Sequence, residues 1–342
     1  MHRRCIMRFS NLRFKGITTT PWHIGDRIFG DYRYSRRDYL WGRAVRGAIL
    51  TYLWRTYCHK SDIREKVRFN PDEDCKNCKD RGECPFFNLR GSGEGEFKDT
   101  PKLIVTNLKF KNKLRKDRIP LISLDEEYLG VSKGPVWIEF IPSGAEFEFE
   151  IILIGDGVRF KEDVKNAVRS VLTFFGLGGF KNEGFGRGRI SDINELNLEE
   201  FRNELLKIGE KIKDEIKRNG KITFEIEPIL MLEKSKNEYF TSIIEKGFKE
   251  KLINCLCERY WQFFKENIYI PIEEVTGASG SVKIRAWSRK YNREIKFEGI
   301  AGELTIHISE LSDEQALALA LAKYGIGKFK NMGFGSLILK TP

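Results

Sequence analysis

The chain has 342 residues, of which 41% are hydrophobic and 32% charged, and this composition excludes a disordered protein. Its 60 Lys and Arg residues outnumber 49 Asp and Glu residues, and the net charge of +11 indicates a polyanionic partner. No apolar stretch approaches the roughly 20 residues of a membrane span, and the first residues lack the apolar core of a signal peptide. We therefore expect a cytoplasmic protein without a membrane partner.

The first half of the chain is predicted to hold two helices among short strands. A strand begins near Arg8, and a segment rich in Tyr and Arg follows it. Apolar residues at helical spacing predict a first helix from Trp41 to Thr56. Strand patterns then occupy 103–110, 136–141 and 147–154, the last two as a hairpin, and a second helix runs from Glu162 to Phe175.

A cysteine-bearing insertion at about residues 58–99 interrupts this order. Its ligand-type residues are Cys58, His59, the C-x-x-C pair Cys75 and Cys78, and Cys84. Thiolates and imidazoles are the ligands of structural zinc, and they would fill every position and leave none for water. We expect Cys58, Cys75, Cys78 and Cys84 to bind zinc. Cysteines without a metal remain the alternative, because a second C-x-x-C pair is missing.

A glycine-rich segment of eleven residues occurs twice. The first loop, Gly176–Gly186, and the second loop, Gly325–Gly335, are identical at eight of eleven positions. Glycine permits positive φ angles, and successive free amides form anion-binding concavities, so we expect both loops to contact phosphates. The alternative is a glycine-rich turn between a helix and an edge strand. Candidate RNA contacts in the two loops are Lys181, Gly325, Gly327, Lys328, Lys330, Gly333 and Gly335.

The second half repeats the order of elements of the first. Apolar residues every three or four positions from Leu198 to Ile216 predict an amphipathic linker helix. A strand, a helix, two strands, a helix, the second loop and a last strand follow, so both halves have the βαββαβ pattern. The predicted fold is α+β, with tandem ferredoxin-like (RRM-like) domains at 1–192 and 221–342, joined by a linker helix at 193–220.

Basic and aromatic residues alternate in two segments, 27–46 and 281–293. Proteins bind single-stranded RNA with basic side chains that contact the phosphates and aromatic rings that stack on the bases. We therefore expect a positively charged cleft between the domains, with ordinary solvated surface as the alternative. The candidate RNA contacts in these segments are Arg33, Arg36, Arg37, Arg43, Arg46, Lys283 and Arg285.

Four motifs together resemble a known family. They are the second loop, WGRAVRGAI at 41–49, DCKNCKDRGECPFF at 74–87 and YNREIKFEGIAGELTI at 291–306. The chain is similar to the RAMP superfamily, the ferredoxin-like RNA-binding proteins of CRISPR systems, and within it to the endoribonucleases that process precursor CRISPR RNA. The resemblance implies cleavage within a repeat without a metal or other cofactor. It also implies CRISPR repeat RNA, and other CRISPR-associated proteins, as partners.

The chain departs from the family pattern in two respects: the first domain also has the glycine-rich loop, and no His stands near the first helix. Metal-independent cleavage needs groups that move protons to and from the reacting oxygens. His23 is the candidate, because His2 is terminal, His59 competes for zinc and His307 lies in a strand. Tyr32 or Tyr34 is its expected partner, and Arg36, Arg37 or Arg46 is expected to bind the phosphate. A non-catalytic RAMP subunit that holds CRISPR RNA is the alternative.

Overall fold

The computed structural model describes residues 8–35, 39–59, 74–75, 78–91, 102–111, 115–124, 131–236, 238–288 and 293–340. Much of the predicted insertion at 58–99 lies outside these ranges, as do the candidate phosphate clamps Arg36 and Arg37. Among the described helices, none combines the length and apolar character that a membrane crossing needs.

The helices and strands fall into two groups along the chain. In the first half they are β1 (Phe9–Thr18), β2 (Gly25–Phe29), β3 (Tyr32–Ser35), β4 (Tyr39–Leu40), α1 (Gly42–Tyr57), α2 (Pro85–Arg90), β5 (Leu103–Val105), β6 (Leu108–Phe110), β7 (Asp117–Leu124), β8 (Val131–Phe140), β9 (Glu146–Ile154), α3 (Lys161–Ser170) and β10 (Gly188–Leu196). In the second half they are α4 (Leu198–Asn219), β11 (Lys221–Leu230), β12 (Glu233–Ser235), β13 (Glu238–Tyr239), α5 (Phe248–Phe264), β14 (Glu274–Thr276), β15 (Ser279–Ser288), β16 (Arg293–His307), α6 (Asp313–Leu321) and β17 (Ser336–Leu339).

The first module is built on a sheet with the order β10-β1-β9-β6-β4, in which β5 also pairs with β9. All of these pairings are antiparallel. The helices α1 and α3 lie on one face, where Leu12, Ile49 and Val168 belong to one buried core. The four core strands in chain order are β1, β6, β9 and β10. Helix α1 lies between the first and second of them, and α3 lies between the third and fourth, which is the βαββαβ order.

The second module has the same topology, with the order β14-β16-β11-β17 and with β15 also paired to β16. Its helices are α5 and α6, and α4 packs across α6 where Gly209 lies against the backbone of Ala316. Local sequence sets where α6 begins, because Ser312 and Gln315 each accept a hydrogen bond from the other's backbone N–H. The fold is therefore α+β with tandem ferredoxin-like modules, and this prediction is confirmed. The exact domain boundaries stay a prediction.

The two modules share a buried joint. The face of the first sheet that α1 and α3 do not cover contributes Ile152 and Ile154 to the same core as Phe224 of β11. Phe201 of α4 enters that core as well, with its ring 4.8 Å from the ring of Phe9. The predicted linker helix is thus also a packing element, since α4 fills the space between the modules.

A separate four-stranded sheet in the first half was not predicted. Its order is β2-β3-β8-β7, and we call it the accessory sheet. The pairing of β3 with β8 is parallel, whereas the other two pairings are antiparallel. The predicted hairpin of residues 136–141 with 147–154 is wrong, because β8 joins the accessory sheet while β9 joins the main sheet. The accessory sheet carries the segment in which the sequence placed the catalytic candidates.

Candidate nucleic-acid interface

The accessory sheet presents a group of aromatic rings, which we call the aromatic face: Phe29, Tyr32, Tyr34 and Trp137. The register places Tyr32 opposite both Phe29 and Trp137, and directly opposite residues share one face of a sheet. Tyr34 shares that face because it is two residues from Tyr32. The Tyr32 ring is nearly parallel to both neighbours, at 6.3 Å from Tyr34 and 6.4 Å from Trp137 between centroids. Phe29 and Tyr32 are exposed.

Basic side chains lie beside the aromatic face, held by one buried carboxylate. Glu139 forms ion pairs with Lys116 and, at 3.6 Å, with Arg118. Burial raises the pKa of Glu139, but hydrogen bonds from Lys116 and from the Ser35 N–H outweigh it and lower the pKa below its usual value. Glu139 therefore stays ionised and pairs with the largely exposed Arg118 beside the rings.

His23 lies between the accessory sheet and the first loop. Its Nδ1 is 2.8 Å from the carbonyl oxygen of Glu139, and because a carbonyl can only accept, Nδ1 carries the proton and Nε2 keeps its lone pair. The ring packs against Phe180 at 4.9 Å, and the side chain is only 6% exposed. Burial lowers the pKa of His23 below 6.5. The ring is therefore neutral at pH 7, which is the form that a general base needs.

Both glycine-rich loops have the same backbone and the same mode of attachment. Phe180 and Phe329 occupy equivalent positions with φ angles of 55° and 59°, a conformation that residues other than glycine rarely adopt. The amide of Gly179 donates to the carbonyl of His23 at 2.8 Å, and the amide of Lys328 donates to that of Met231 at 2.8 Å. The internal repeat is thus structural as well as sequential, and Met231 is the counterpart of His23.

The glycines of the loops allow two segments of backbone to pack closely against each other. A Cβ at Gly186 would overlap the carbonyl oxygen of Leu177, and one at Gly335 would overlap that of Ile326. The amides of Gly186 and Gly335 donate to the carbonyls of Pro21 and Ile229, at 2.8 and 2.9 Å. These amides point into the protein, so the anion-binding concavity predicted from the glycine spacing is wrong for them.

The second loop is enclosed in the joint between the modules. A Cβ at Gly333 would overlap the side-chain oxygen of Asn107 in the first module, and the Phe334 ring lies 6.0 Å from that of Trp41. Asn331 accepts a hydrogen bond at 2.9 Å from Arg259, which is fully buried. The prediction that the second-loop glycines contact RNA is corrected, since Gly325, Gly333 and Gly335 are buried. Gly327 is half-buried, and a Cβ there would lie against the carbonyl of Met231.

The lysines of the loops differ in their surroundings. Lys330 is half-buried, and burial lowers its pKa. Its Nζ lies 3.4 Å from a carboxylate oxygen of Glu258. Lys328 is exposed and lies 3.7 Å from Glu233. In the first loop, Lys181 is half-buried, while Asn182 and Glu183 at the tip are exposed. The first loop is therefore the one whose tip is open to solvent.

The remaining basic candidates are distributed over several surfaces. Arg46 is buried and donates to the carbonyls of Leu103 and Arg90 at 3.4 and 2.8 Å, and burial lowers its pKa to about 10. Its predicted role as a phosphate clamp is corrected, because it ties α1 to two backbone segments. Lys283 and Arg285 lie on β15 and face Glu298 and Glu294 at 3.4 and 3.7 Å. Arg33 lies on β3, and Arg43 of α1 stacks 4.9 Å from the Phe297 ring.

The cleft between the modules does not have the predicted charge. It holds a cavity of about 480 Å³ with eight charged residues in its lining. Four are basic and four acidic: Arg13, Lys15, Lys109, Lys323, Glu148, Glu150, Glu204 and Glu227. They pair across the joint, as Lys109 does with Glu227 at 2.8 Å. The prediction of a positively charged cleft is therefore wrong, because carboxylates from both modules balance its bases.

The four cysteines of the predicted zinc site lie near one another. Burial, followed by the neighbouring thiols of Cys84, Cys78 and Cys58, raises the pKa of Cys75 to about 12. The Cys78 amide donates to the Cys75 carbonyl at 3.2 Å. The donor type suits zinc, but among the described residues no three His, Cys, Asp or Glu side chains are arranged to hold a metal ion. Zinc binding stays a prediction.

The fold and this surface define a class of protein: two ferredoxin-like modules with a basic, aromatic face on an added sheet. The family model of the RAMP superfamily matches residues 17–191, and the chain belongs to that superfamily. A comparison with curated proteins found no match.

Two solved structures resemble the chain. The Cas6 product complex is 10% identical, with 98% of this chain and 100% of that chain covered and a TM-score of 0.44. The cryo-EM structure of the Type III-B Cmr-beta bound to cognate target RNA contains a chain that is 15% identical, with a TM-score of 0.38. The match covers 56% of this chain and 61% of that one. At these values neither likeness carries an argument about function.

Sequence reasoning missed two members of the interface. Trp137 joins the aromatic face only because β8 runs parallel to β3, and no local pattern marks that pairing. Glu139 organises Lys116 and Arg118, yet in the sequence it is one acidic residue among many. The one available signal was the segment 109–118, in which six of ten residues are basic.

Proposed function

We propose that this protein binds repeat RNA of a CRISPR system and cleaves the precursor within the repeat. The aromatic face carries the proposal: flat rings stack with bases of any identity, and adjacent cations bind the phosphates. Tyr32 and Trp137 supply parallel rings, and Arg118 supplies an exposed charge. Membership of the RAMP superfamily supports CRISPR RNA as the ligand.

The proposed cleavage uses His23 as the general base. Nε2 of the neutral imidazole takes the proton of a ribose 2′-OH, and the resulting oxygen attacks the adjacent phosphorus. A 2′,3′-cyclic phosphate forms, and the 5′ oxygen leaves with a proton from an acid, for which Tyr32 and Tyr34 are the candidates. Each such proton transfer contributes about 10²- to 10⁴-fold in rate. No metal ion takes part in these steps.

A non-catalytic RNA-binding subunit is the second candidate, and one observation favours it. His23 is 6% exposed, and the Phe180 ring packs against it at 4.9 Å. RNA reaches the imidazole only if the first loop moves. If it does not move, the same surfaces bind RNA and leave it intact.

Incubation of the protein with end-labelled repeat RNA in EDTA tests the proposal. We expect a single cut that leaves a 2′,3′-cyclic phosphate. His23→Ala should abolish the cut and keep RNA binding, whereas the control His307→Ala, which removes a side chain bonded to Thr276 at 2.9 Å, should retain the cut.

The same assay separates binding from cleavage. Trp137→Ala should weaken RNA binding about tenfold or more, since one stacked base contributes roughly 1–3 kcal/mol. Tight binding without any cut would favour the non-catalytic subunit. Undiminished binding by Trp137→Ala would remove the aromatic face from the proposal.

A further inference from the structure

A second pair of exposed aromatic residues lies where α3 meets the first loop. Phe174 and Phe175 are 69% and 59% exposed, an unusual state for two adjacent phenylalanines. Tyr52 of α1 flanks them, with its ring 6.1 Å from that of Phe175. Neither the aromatic face nor the module joint includes them.

The internal repeat shows that this exposure is specific to the first module. Tyr324 precedes the second loop as Phe175 precedes the first, and it is 2% exposed. Phe201 of α4 covers it at 5.2 Å, and its hydroxyl donates to Glu150 of the first sheet at 2.9 Å. Within the described part of the chain, no helix covers Phe175 in the same way.

The backbone turn before each loop accounts for the difference. In the first module the Gly176 amide donates to the Val171 carbonyl, five residues back, at 2.7 Å, which makes a π-helical turn. In the second module the Gly325 amide donates to the Ala322 carbonyl, three residues back, at 2.9 Å. The wider turn presents two phenylalanines outward. Such π-helical turns are frequent at functional sites.

Three arginines near this aromatic pair in the chain have no acidic partner among the described residues. Arg169 lies on the last turn of α3, and Arg187 and Arg189 follow the first loop, where β10 contacts the π-helical turn. All three are exposed, and in the ranges that the structure describes none forms an ion pair. Between residues 169 and 191 the chain has four basic residues and one acidic residue, Glu183. The surface is therefore complementary to a polyanion.

We propose that Phe174, Phe175, Tyr52, Arg169, Arg187 and Arg189 form a second single-stranded RNA site, which we call the phenylalanine patch. The inference rests on the proposed function and extends it by naming where RNA continues beyond the aromatic face. The first loop connects the two sites, because Gly176 follows the patch directly and Gly179 is bonded to His23 at 2.8 Å. Bases stack on the phenylalanines, and the arginines bind the phosphates between them.

RNA length separates the two sites in a binding experiment. Fluorescence anisotropy is measured with labelled oligouridine of about 8 nucleotides, which fills one site, and about 30 nucleotides, which spans both. The variant Phe174→Ala/Phe175→Ala should bind the long RNA about tenfold or more weakly, as expected for one lost stacked base, and bind the short RNA unchanged. Tyr269→Ala removes an exposed aromatic residue of the second module and should change neither affinity.

A charge variant tests the arginines independently. Arg169→Gln/Arg187→Gln/Arg189→Gln should reduce the slope of log affinity against log salt by about two for the long RNA, at roughly 0.7 per phosphate contact. The slope for the short RNA should stay the same. Circular dichroism melting of each variant should coincide with that of wild type.

The outcomes distinguish this inference from the proposed function. If wild type binds neither RNA, the proposed function itself fails. If wild type and the double phenylalanine variant bind the long RNA equally, the phenylalanine patch is not an RNA site. If wild type also self-associates in sedimentation and the variant does not, the patch is a protein interface and the inference is overturned.

Discussion

At the scale of single residues, environment decides which candidate can do chemistry. His23 and Arg46 are both buried, but His23 keeps a lone pair on Nε2 whereas Arg46 donates to two carbonyls. A buried guanidinium that satisfies backbone acceptors is part of the framework of the protein. His23 remains a candidate base because its one described hydrogen bond uses the other ring nitrogen.

The pKa of His23 predicts the pH dependence of cleavage. Burial lowers this pKa below 6.5, so the neutral, basic form persists at pH 7 and is lost as the pH falls through the lowered pKa. We expect the single-turnover cleavage rate to be constant from pH 7 to about 8 and to fall below pH 6 in proportion to the neutral fraction. A rate that falls already between pH 8 and 7 would assign the base to another group.

At the scale of elements, one loop sequence serves two purposes. Both loops attach to backbone carbonyls through amides at the same loop positions, yet only the second is enclosed, by Asn107 and Arg259. Burial lowers the pKa of Arg259 to about 9, and in the part of the chain described here it bonds to Gln262, Asn331 and the Tyr324 carbonyl. The second loop thus fastens the modules together, and the first remains at the surface.

Equivalent glycines in the two loops allow a matched test of this difference. Gly333 and Gly184 have similar positive φ angles, 81° and 84°, so alanine is strained at both positions. The added methyl group would overlap the Asn107 side chain at Gly333 and would lie in open space at Gly184. We expect Gly184→Ala to lower the free energy of unfolding by about 1 kcal/mol and Gly333→Ala by about 3 kcal/mol. Urea unfolding followed by circular dichroism measures both. Equal losses would show that the second loop is not packed against Asn107.

At the scale of the whole molecule, the net charge of +11 is not spread evenly. Carboxylates neutralise the cleft between the modules, and exposed arginines remain on the first module, beside the aromatic face and in the phenylalanine patch. An RNA strand is therefore expected on the first module and outside the cleft.

Salt dependence of RNA binding tests this distribution. With three phosphate contacts, the affinity for short single-stranded RNA should fall roughly twentyfold between 50 and 200 mM salt. Lys15→Gln/Lys323→Gln, which alters two bases of the cleft lining, should leave that slope unchanged. A reduced slope in this variant would place the RNA in the cleft.

The sequence was sufficient for the features that depend on local pattern. The repeated glycine spacing identified two related modules, and helical and strand periodicity identified α1, α4 and the βαββαβ order. Conversely, the accessory sheet depends on β3 meeting β8 in parallel across about a hundred residues of chain, and periodicity carries no information about such a partner.

By itself, the amino-acid sequence determined that this protein has two ferredoxin-like modules, an excess of basic residues, and aromatic residues among its arginines. Which of those residues face solvent depends on how the folded segments pack together. Arg46 and the second loop became buried and the cleft became neutral, while Tyr32, Trp137, Phe174 and Phe175 came to line the surface of the first module. The reason is that exposure and pairing depend on contacts between segments distant in sequence, whereas turns and periodicity depend on neighbours.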